Sequence, residues 1–283
     1  MPVFKPLHSL FGATVSAVDL TAPVSDQDFS EIYAAFEKYS LLVFHDQALS
    51  DDAQLAFSRR FGPLELTKIG APGAGTEMVI LSNIGPDGEI AAAEDRMHGS
   101  HRANSLWHTD SSFKKIPAKA SLLSGRTVPP SGGETEFVSM RAAYAALPEA
   151  TKQKIDGRVA LHSFAHSRDK IYKGLATDVE QDVLPAVPQP MVTVNPTTGE
   201  KSFYVASHAS HIEGVPVEEG AALIAELVEF ATQPDRVYRH EWRDNDLVIW
   251  DNRCLLHRAQ PFENLTHRRH MIRTTVSIVD AAA

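Results

Sequence analysis

Apolar positions recur along this chain on two periods. Over 25–39 the spacing is helical: Phe29, Ile32, Tyr33 and Phe36 fall at i, i+3, i+4 and i+7. Ser25 stands where an N-cap is needed, with Asp28 three residues on. The pattern predicts a helix there, then a buried strand at Leu41-Leu-Val-Phe44. Ser50 is the expected cap of a second helix ending near Phe61-Gly-Pro63, because Gly and Pro stop helices. Two more helices are predicted over 139–147 and 216–231, the latter with Leu223, Leu227 and Phe230 on one apolar stripe. Short strand-like runs occupy 78–82, 121–124, 134–138, 191–194, 202–206, 247–250 and 271–279. Turn signals such as Val128-Pro-Pro-Ser-Gly-Gly133 and Asn195-Pro-Thr-Thr-Gly199 separate them. Many short strands with Gly/Pro turns predict a β sandwich or barrel with helices outside, as one domain over 1–283. Stretches 83–105 and 163–190 show neither period, and aperiodic loops of that length are candidate active-site lids.

Composition narrows the class. Hydrophobic residues make up 43% and charged residues 22% of the 283, which is globular and not disordered. No apolar run approaches the ~18 residues of a membrane span, and the first residues lack a basic region followed by an apolar stretch, so neither membrane insertion nor secretion is expected. The single cysteine, Cys254, permits no intrachain disulfide and fits a cytoplasmic location. It is read as a buried structural residue. A net charge of −9 argues against nucleic acid as partner. The charge is uneven, however: Arg253, Arg258, Arg268, Arg269 and Arg273 crowd between Trp250 and Thr275 against Asp251 and Glu263 alone. That run is either a solvated basic face or a pocket for small anions.

Candidate chemistry begins at His108-Thr-Asp110. In a strand, residues two apart share a face, so this spacing would aim an imidazole and a carboxylate at one point. His257 lies beyond the run Leu247-Val-Ile-Trp-Asp-Asn-Arg253, far enough from Asp110 that only the fold can join them. Two histidines and one carboxylate on one face leave metal positions open, an arrangement suited to non-haem Fe(II) oxygen chemistry. The downstream arginines offer planar forks for carboxylates. Pairs such as His98 with His101 and His162 with His166 could bind zinc, but a hydrolytic zinc site finds no His-Glu-x-x-His here.

Taken together, Trp107-His-Thr-Asp-Ser-Ser-Phe113, Pro130-Ser-Gly-Gly-Glu-Thr135, Trp250-Asp-Asn-Arg253 with His257, and Arg268-Arg269…Arg273-Thr-Thr275 resemble the Fe(II)/2-oxoglutarate dioxygenases of the TauD/TfdA family. Phe137–Tyr144 and Ser207–Gly214 are similar to its phenoxyacetate branch. The resemblance implies a distorted double-stranded β-helix (jelly roll) with flanking helices. It implies iron ligands His108, Asp110 and His257, with 2-oxoglutarate and O₂ as co-substrates. Thr135 and Arg269 would bind the distal carboxylate of 2-oxoglutarate, with Arg268 the alternative to Arg269; Trp250 would wall the co-substrate pocket and Asn104 would lie near it. Arg273 would hold the acidic group of a small anionic substrate, and Lys68 and His208 (or His211) could touch it. An aryloxyalkanoate is preferred to taurine or an alkylsulfonate. The rival from outside enzymology is a non-catalytic jelly-roll binding protein. Self-association is common in the family, and the sequence names no interface.

Overall fold

The computed structural model describes residues 1–68, 72–85, 87–92 and 102–278. His98 and His101 therefore lie outside the described residues, as does most of the second half of the 83–105 candidate lid.

In chain order the elements are β1 (Val3–Pro6), β2 (Ala13–Ser16), α1 (Asp26–Tyr39), β3 (Leu41–Phe44), α2 (Asp51–Arg59), β4 (Val79–Ser82), β5 (Ala118–Thr127), β6 (Thr135–Ser139), α3 (Met140–Ala146) and α4 (Glu149–Ile155). There follow β7 (Val159–His162), α5 (Phe164–Asp169), α6 (Asp178–Val183), β8 (Val187–Pro190), β9 (Val192–Val194), β10 (Lys201–Phe203), β11 (Ala209–Ile212), α7 (Val217–Ala231), β12 (Tyr238–His240), β13 (Leu247–Asp251), β14 (Leu255–Ala259) and β15 (His270–Ser277).

The predicted helix caps form. Ser25 accepts from the Asp28 amide and Ser50 from the Ala53 amide, each satisfying one of the donors a helix start leaves open. A seven-stranded sheet runs β1-β2-β3-β13-β5-β15-β4, antiparallel except where β2 meets β3. A three-stranded sheet, β12-β6-β14, carries the second histidine of the candidate triad. Two smaller sheets, β11-β7-β8 and β10-β9, complete the β structure.

The period of two sorts side chains between layers. Leu42, Phe44, Leu122, Leu247 and Ile249 pack with Ile32 and Phe36 of α1 and Phe57 of α2. Their neighbours in sequence, Leu41, Val43, Leu123, Val248 and Trp250, turn the other way and meet Phe137 and Leu255 of the three-stranded sheet. Val138 and Leu256 face outward again, onto Met140 and Tyr144 of α3 and Ile224 and Leu227 of α7. Burying one such side chain contributes about 1.5–3 kcal/mol, so this alternation fixes strand register firmly.

Two expectations change. The 163–190 stretch is not structureless: it contains α5, α6 and β8. Thr177 and Glu180 form a reciprocal capping box at the start of α6, a signal too short to register as periodicity. Moreover, His108-Thr-Asp110 is not a strand. Only His108 makes a bridge pair, with His257, and the chain then turns through Ser111 at φ 55°. No helix among the described residues is long and apolar enough to cross a membrane.

Candidate active site

From β13 in the main sheet the chain turns at Asn252–Cys254 and crosses to β14 of the three-stranded sheet, which carries His257. There the backbones of His108 and His257 exchange both hydrogen bonds, at 3.0 and 2.8 Å, which brings their rings to 4.2 Å between centroids. Asp110 completes the group. Its Oδ2 is 3.7 Å from His257 Nε2 and its Oδ1 4.0 Å from His108 Nε2. The three ligand atoms lie within 4.8 Å of one another and all three residues are buried.

Since no strand aims Asp110, side chains do. Asn252, the third residue of the Trp250-Asp-Asn-Arg253 run, accepts from the Asp110 amide (3.1 Å), from Trp250 Nε1 (2.9 Å) and from Thr109 Oγ1 (3.2 Å). Its amide donates to Ser121 Oγ at 2.9 Å, and the Ser121 hydroxyl, thus occupied as acceptor, donates to Asp110 Oδ2 at 2.7 Å. Arg273 Nη1 donates to the other oxygen at 2.5 Å. Burial pushes the Asp110 carboxyl up, but the Arg273 guanidinium, the two imidazoles and the Ser121 hydroxyl outweigh it, and the group sits well below the ordinary carboxylate range. Burial, reinforced for His257 by the His108 ring, drives both histidines below their ordinary value, toward neutral imidazoles. His108 Nδ1 is 2.7 Å from the Leu106 carbonyl, which can only accept, so Nδ1 carries the proton and Nε2 keeps its lone pair. Two neutral imidazoles and an ionised carboxylate converging on one point are a donor set that fits Fe(II).

Beside the triad lies a cavity of about 280 Å³. His108, His257, Trp250, Thr135, Asn104, Arg269 and Arg273 all line it. Trp250 is fully buried with its ring 4.7 Å from that of His257. Arg269 Nε is buried and has no hydrogen-bond partner, and no carboxylate among the described residues pairs with its guanidinium. Burial lowers Arg269 to about 10, still protonated at neutral pH. Arg273 Nε is likewise buried and unbonded. These are the marks of a site built for anions.

The five-arginine run divides between its two readings. Arg253 pairs with Asp251 and Glu37, Arg258 with Glu136, and Arg268 stands exposed beside Glu89. Of this run only Arg269 and Arg273 line the cavity, where Arg102 joins them. Lys68 is not among the lining residues: its ammonium lies 2.5 Å from Glu180 and 4.3 Å from the Phe164 ring centre. His208 also lies off this lining, but its buried ring packs 6.1 Å from His108 and 4.9 Å from Phe113. His211 bonds to the adjacent Ser210 hydroxyl. Cys254 is buried, and burial raises its thiol far above its ordinary value, so it is no nucleophile. His162 is buried and stacked on Tyr204, with no zinc-like cluster around it among the described residues.

Sequence reasoning assigned no role to Asn252 or Ser121. Asn252 sits in a run that pattern reading singled out, but its four bonds become visible only with the fold.

The chain as a whole is similar to known proteins. Residues 4–275 match the family described as taurine catabolism dioxygenase TauD, TfdA family. The alpha-ketoglutarate-dependent 2,4-dichlorophenoxyacetate dioxygenase of Cupriavidus pinatubonensis (strain JMP 134) is 42% identical over 278 residues, 96% of each chain. The (S)-phenoxypropionate/alpha-ketoglutarate-dioxygenase of Sphingobium herbicidovorans is 39% identical, over 94% of this chain and 91% of that one. The crystal structure of AAD-2 in complex with Mn(II) and N-oxalylglycine superposes with a TM-score of 0.91 at 41% identity, covering 99% of this chain and 98% of that chain. A buried two-histidine, one-carboxylate group facing an arginine-edged cavity, matched over nearly the whole chain, makes this protein a member of the TauD/TfdA family of dioxygenases.

Proposed function

We propose that this protein is an Fe(II)- and 2-oxoglutarate-dependent dioxygenase that hydroxylates a small anionic aryl ether, an aryloxyalkanoate such as 2,4-dichlorophenoxyacetate. The observation that carries this reading is that His108 and His257 share a cavity with Arg269, whose Nε is buried and whose guanidinium pairs with no carboxylate among the described residues. The names of the 2,4-dichlorophenoxyacetate and phenoxypropionate relatives supply the substrate class.

In this reading His108, Asp110 and His257 hold iron. Bound iron and 2-oxoglutarate supply the oxidising chemistry: one atom of O₂ enters succinate as CO₂ leaves, and the other enters the substrate. Thr135 and Arg269 take the distal carboxylate of 2-oxoglutarate, Trp250 walls it, and Asn104 lies beside it. Arg273, one side of its guanidinium on Asp110, takes the substrate carboxylate by charge-assisted hydrogen bonds. His208, packed between His108 and Phe113, is assigned to the aryl end. Lys68, engaged by Glu180, has no part in the assignment. Hydroxylation of the carbon next to the ether oxygen gives a hemiacetal, which collapses to a phenol and glyoxylate. The segment 163–190, with α5 and α6, is the cover on the His208 side. The main sheet and β12-β6-β14 are read as the two halves of a distorted double-stranded β-helix, with α1, α2, α3 and α7 outside.

The test is incubation with Fe(II), 2-oxoglutarate and O₂ against phenoxyacetates, 2-phenoxypropionates, taurine and a simple alkylsulfonate. Phenol and succinate released in equal amounts from an aryloxyalkanoate are expected. Sulfite from a sulfonate, with no phenol from any ether, overturns the substrate class.

A further inference from the structure

Thr135 has a partner that the catalytic assignment does not use. Trp242 Nε1 lies 3.0 Å from Thr135 Oγ1. An indole N–H can only donate, so the threonine oxygen is the acceptor in this bond. Thr135 Oγ1 has no acceptor among the described residues, and its own proton is therefore left for the cavity that Thr135 lines. Trp242 itself does not line that cavity.

The indole is held on both sides. Its ring meets His240 edge to face at 4.6 Å and 89°. His240 Nε2 lies 3.1 Å from Asp246 Oδ2 without hydrogen-bond geometry, and His45 Nδ1 lies 2.7 Å from Asp246 Oδ1. On the other side lies Gly125 of β5, where a Cβ would come within 3.4 Å of Trp242 Cε3 and 3.0 Å of Val128 Cγ1. Opposite Thr135, a Cβ on Gly133 would be 3.5 Å from Arg269 Nε, the buried nitrogen without a partner. One end of the cavity thus presents an oriented hydroxyl and a guanidinium that pairs with no carboxylate among the described residues.

We infer that Trp242 is a positioning residue for the anion at this end: it fixes the Thr135 hydroxyl as a donor and so sets the preference for a 2-oxo acid with a distal carboxylate. The inference rests on the assignment of Thr135 and Arg269 to that carboxylate. A hydroxyl that accepts from N–H is also a stronger donor, so the two bonds reinforce each other.

The experiment is calorimetric titration of the Fe(II)-loaded full-length protein under nitrogen. The ligands are 2-oxoglutarate and 2-oxovalerate, which has a methyl group in place of the distal carboxylate. Thr135→Val should weaken 2-oxoglutarate by roughly 10- to 100-fold and 2-oxovalerate little. Trp242→Phe should weaken 2-oxoglutarate by roughly 3- to 10-fold, leave 2-oxovalerate unchanged, and add less than about twofold on the Thr135→Val background. Equal losses for both ligands, or a full Trp242→Phe effect without the Thr135 hydroxyl, overturn the inference. If Thr135→Val leaves 2-oxoglutarate affinity unchanged, the underlying assignment falls and the inference with it. Should Trp242→Phe not fold, the indole N–H resonances of the three tryptophans in the zinc-loaded protein decide. The one that moves in Thr135→Val should move again on adding 2-oxoglutarate and not 2-oxovalerate; a stationary resonance contradicts the inference.

Discussion

Asp110 shows how much of this site depends on single side chains. Its two oxygens are spoken for by Ser121 and Arg273, and its backbone amide by Asn252. Replacing Asn252 with Ala leaves Trp250 Nε1 and the Asp110 amide buried without acceptors. Each such group costs about 1–3 kcal/mol, so Asn252→Ala should lose roughly 2–6 kcal/mol of stability by denaturant unfolding. Metal affinity should fall about 10- to 100-fold, as for other residues that orient ligands. Unchanged affinity would show that the turn through Ser111 suffices to aim the carboxylate. Arg273 makes a second residue-scale prediction. Arg273→Ala should weaken aryloxyalkanoate binding roughly 10- to 150-fold, the value of a charge-assisted pair, and 2-oxoglutarate binding less. The reverse order would exchange the roles of Arg269 and Arg273. The sequence exposed these arginines because residue type and spacing carry their chemistry. Lys68 has a suitable charge too, yet its partner Glu180 lies 112 residues away and no local pattern announces it.

Among the elements, the helices with caps and the fully apolar strands were readable because their signals are local: Ser25, Ser50 and Leu41-Leu-Val-Phe44 behave as their sequences require. β14 was not, since Leu-Leu-His-Arg-Ala is half polar and earns its place by pairing with β6. The same reason explains the His-x-Asp run, whose geometry comes from one bridge to His257 and from Asn252, and not from a strand of its own. Helix α6 offers a test at this scale. Burial pushes Glu180 up, but Lys68 and the Thr177 cap groups prevail and lower it to about 2 from 4.5. A carboxylate lowered on folding adds stability that is fully present above its unfolded value and lost as pH falls toward the folded one. Glu180→Gln should therefore cost about 1–2 kcal/mol at neutral pH, allowing for solvent screening. The difference from wild type should shrink below about pH 4.5 and vanish near pH 2. A difference independent of pH would show that packing, not charge, holds α6.

Across the whole molecule, helices, main sheet, the β12-β6-β14 sheet and outer helices form successive layers, and the triad sits where β14 meets the loop carrying His108. Ligands that bridge these parts should stabilise all of them. A divalent metal with 2-oxoglutarate at about 100 times its dissociation constant should add about 2.7 kcal/mol, which raises Tm by roughly 4–6 °C in a chain this size. 2-Oxoglutarate without metal should do much less, and a chelator should reverse the gain. Equal shifts with and without metal would separate the anion site from the triad.

The buried triad is proposed to drive an oxygenation that cleaves an aryl ether. The most direct measurement is phenol released from 2,4-dichlorophenoxyacetate by wild type and His108→Ala, with Fe(II), 2-oxoglutarate and O₂ present and then with each withheld. Phenol matched by succinate is expected in the wild type, none when any one component is missing, and none from His108→Ala. Phenol release that survives loss of the metal, of 2-oxoglutarate or of the His108 imidazole would contradict it.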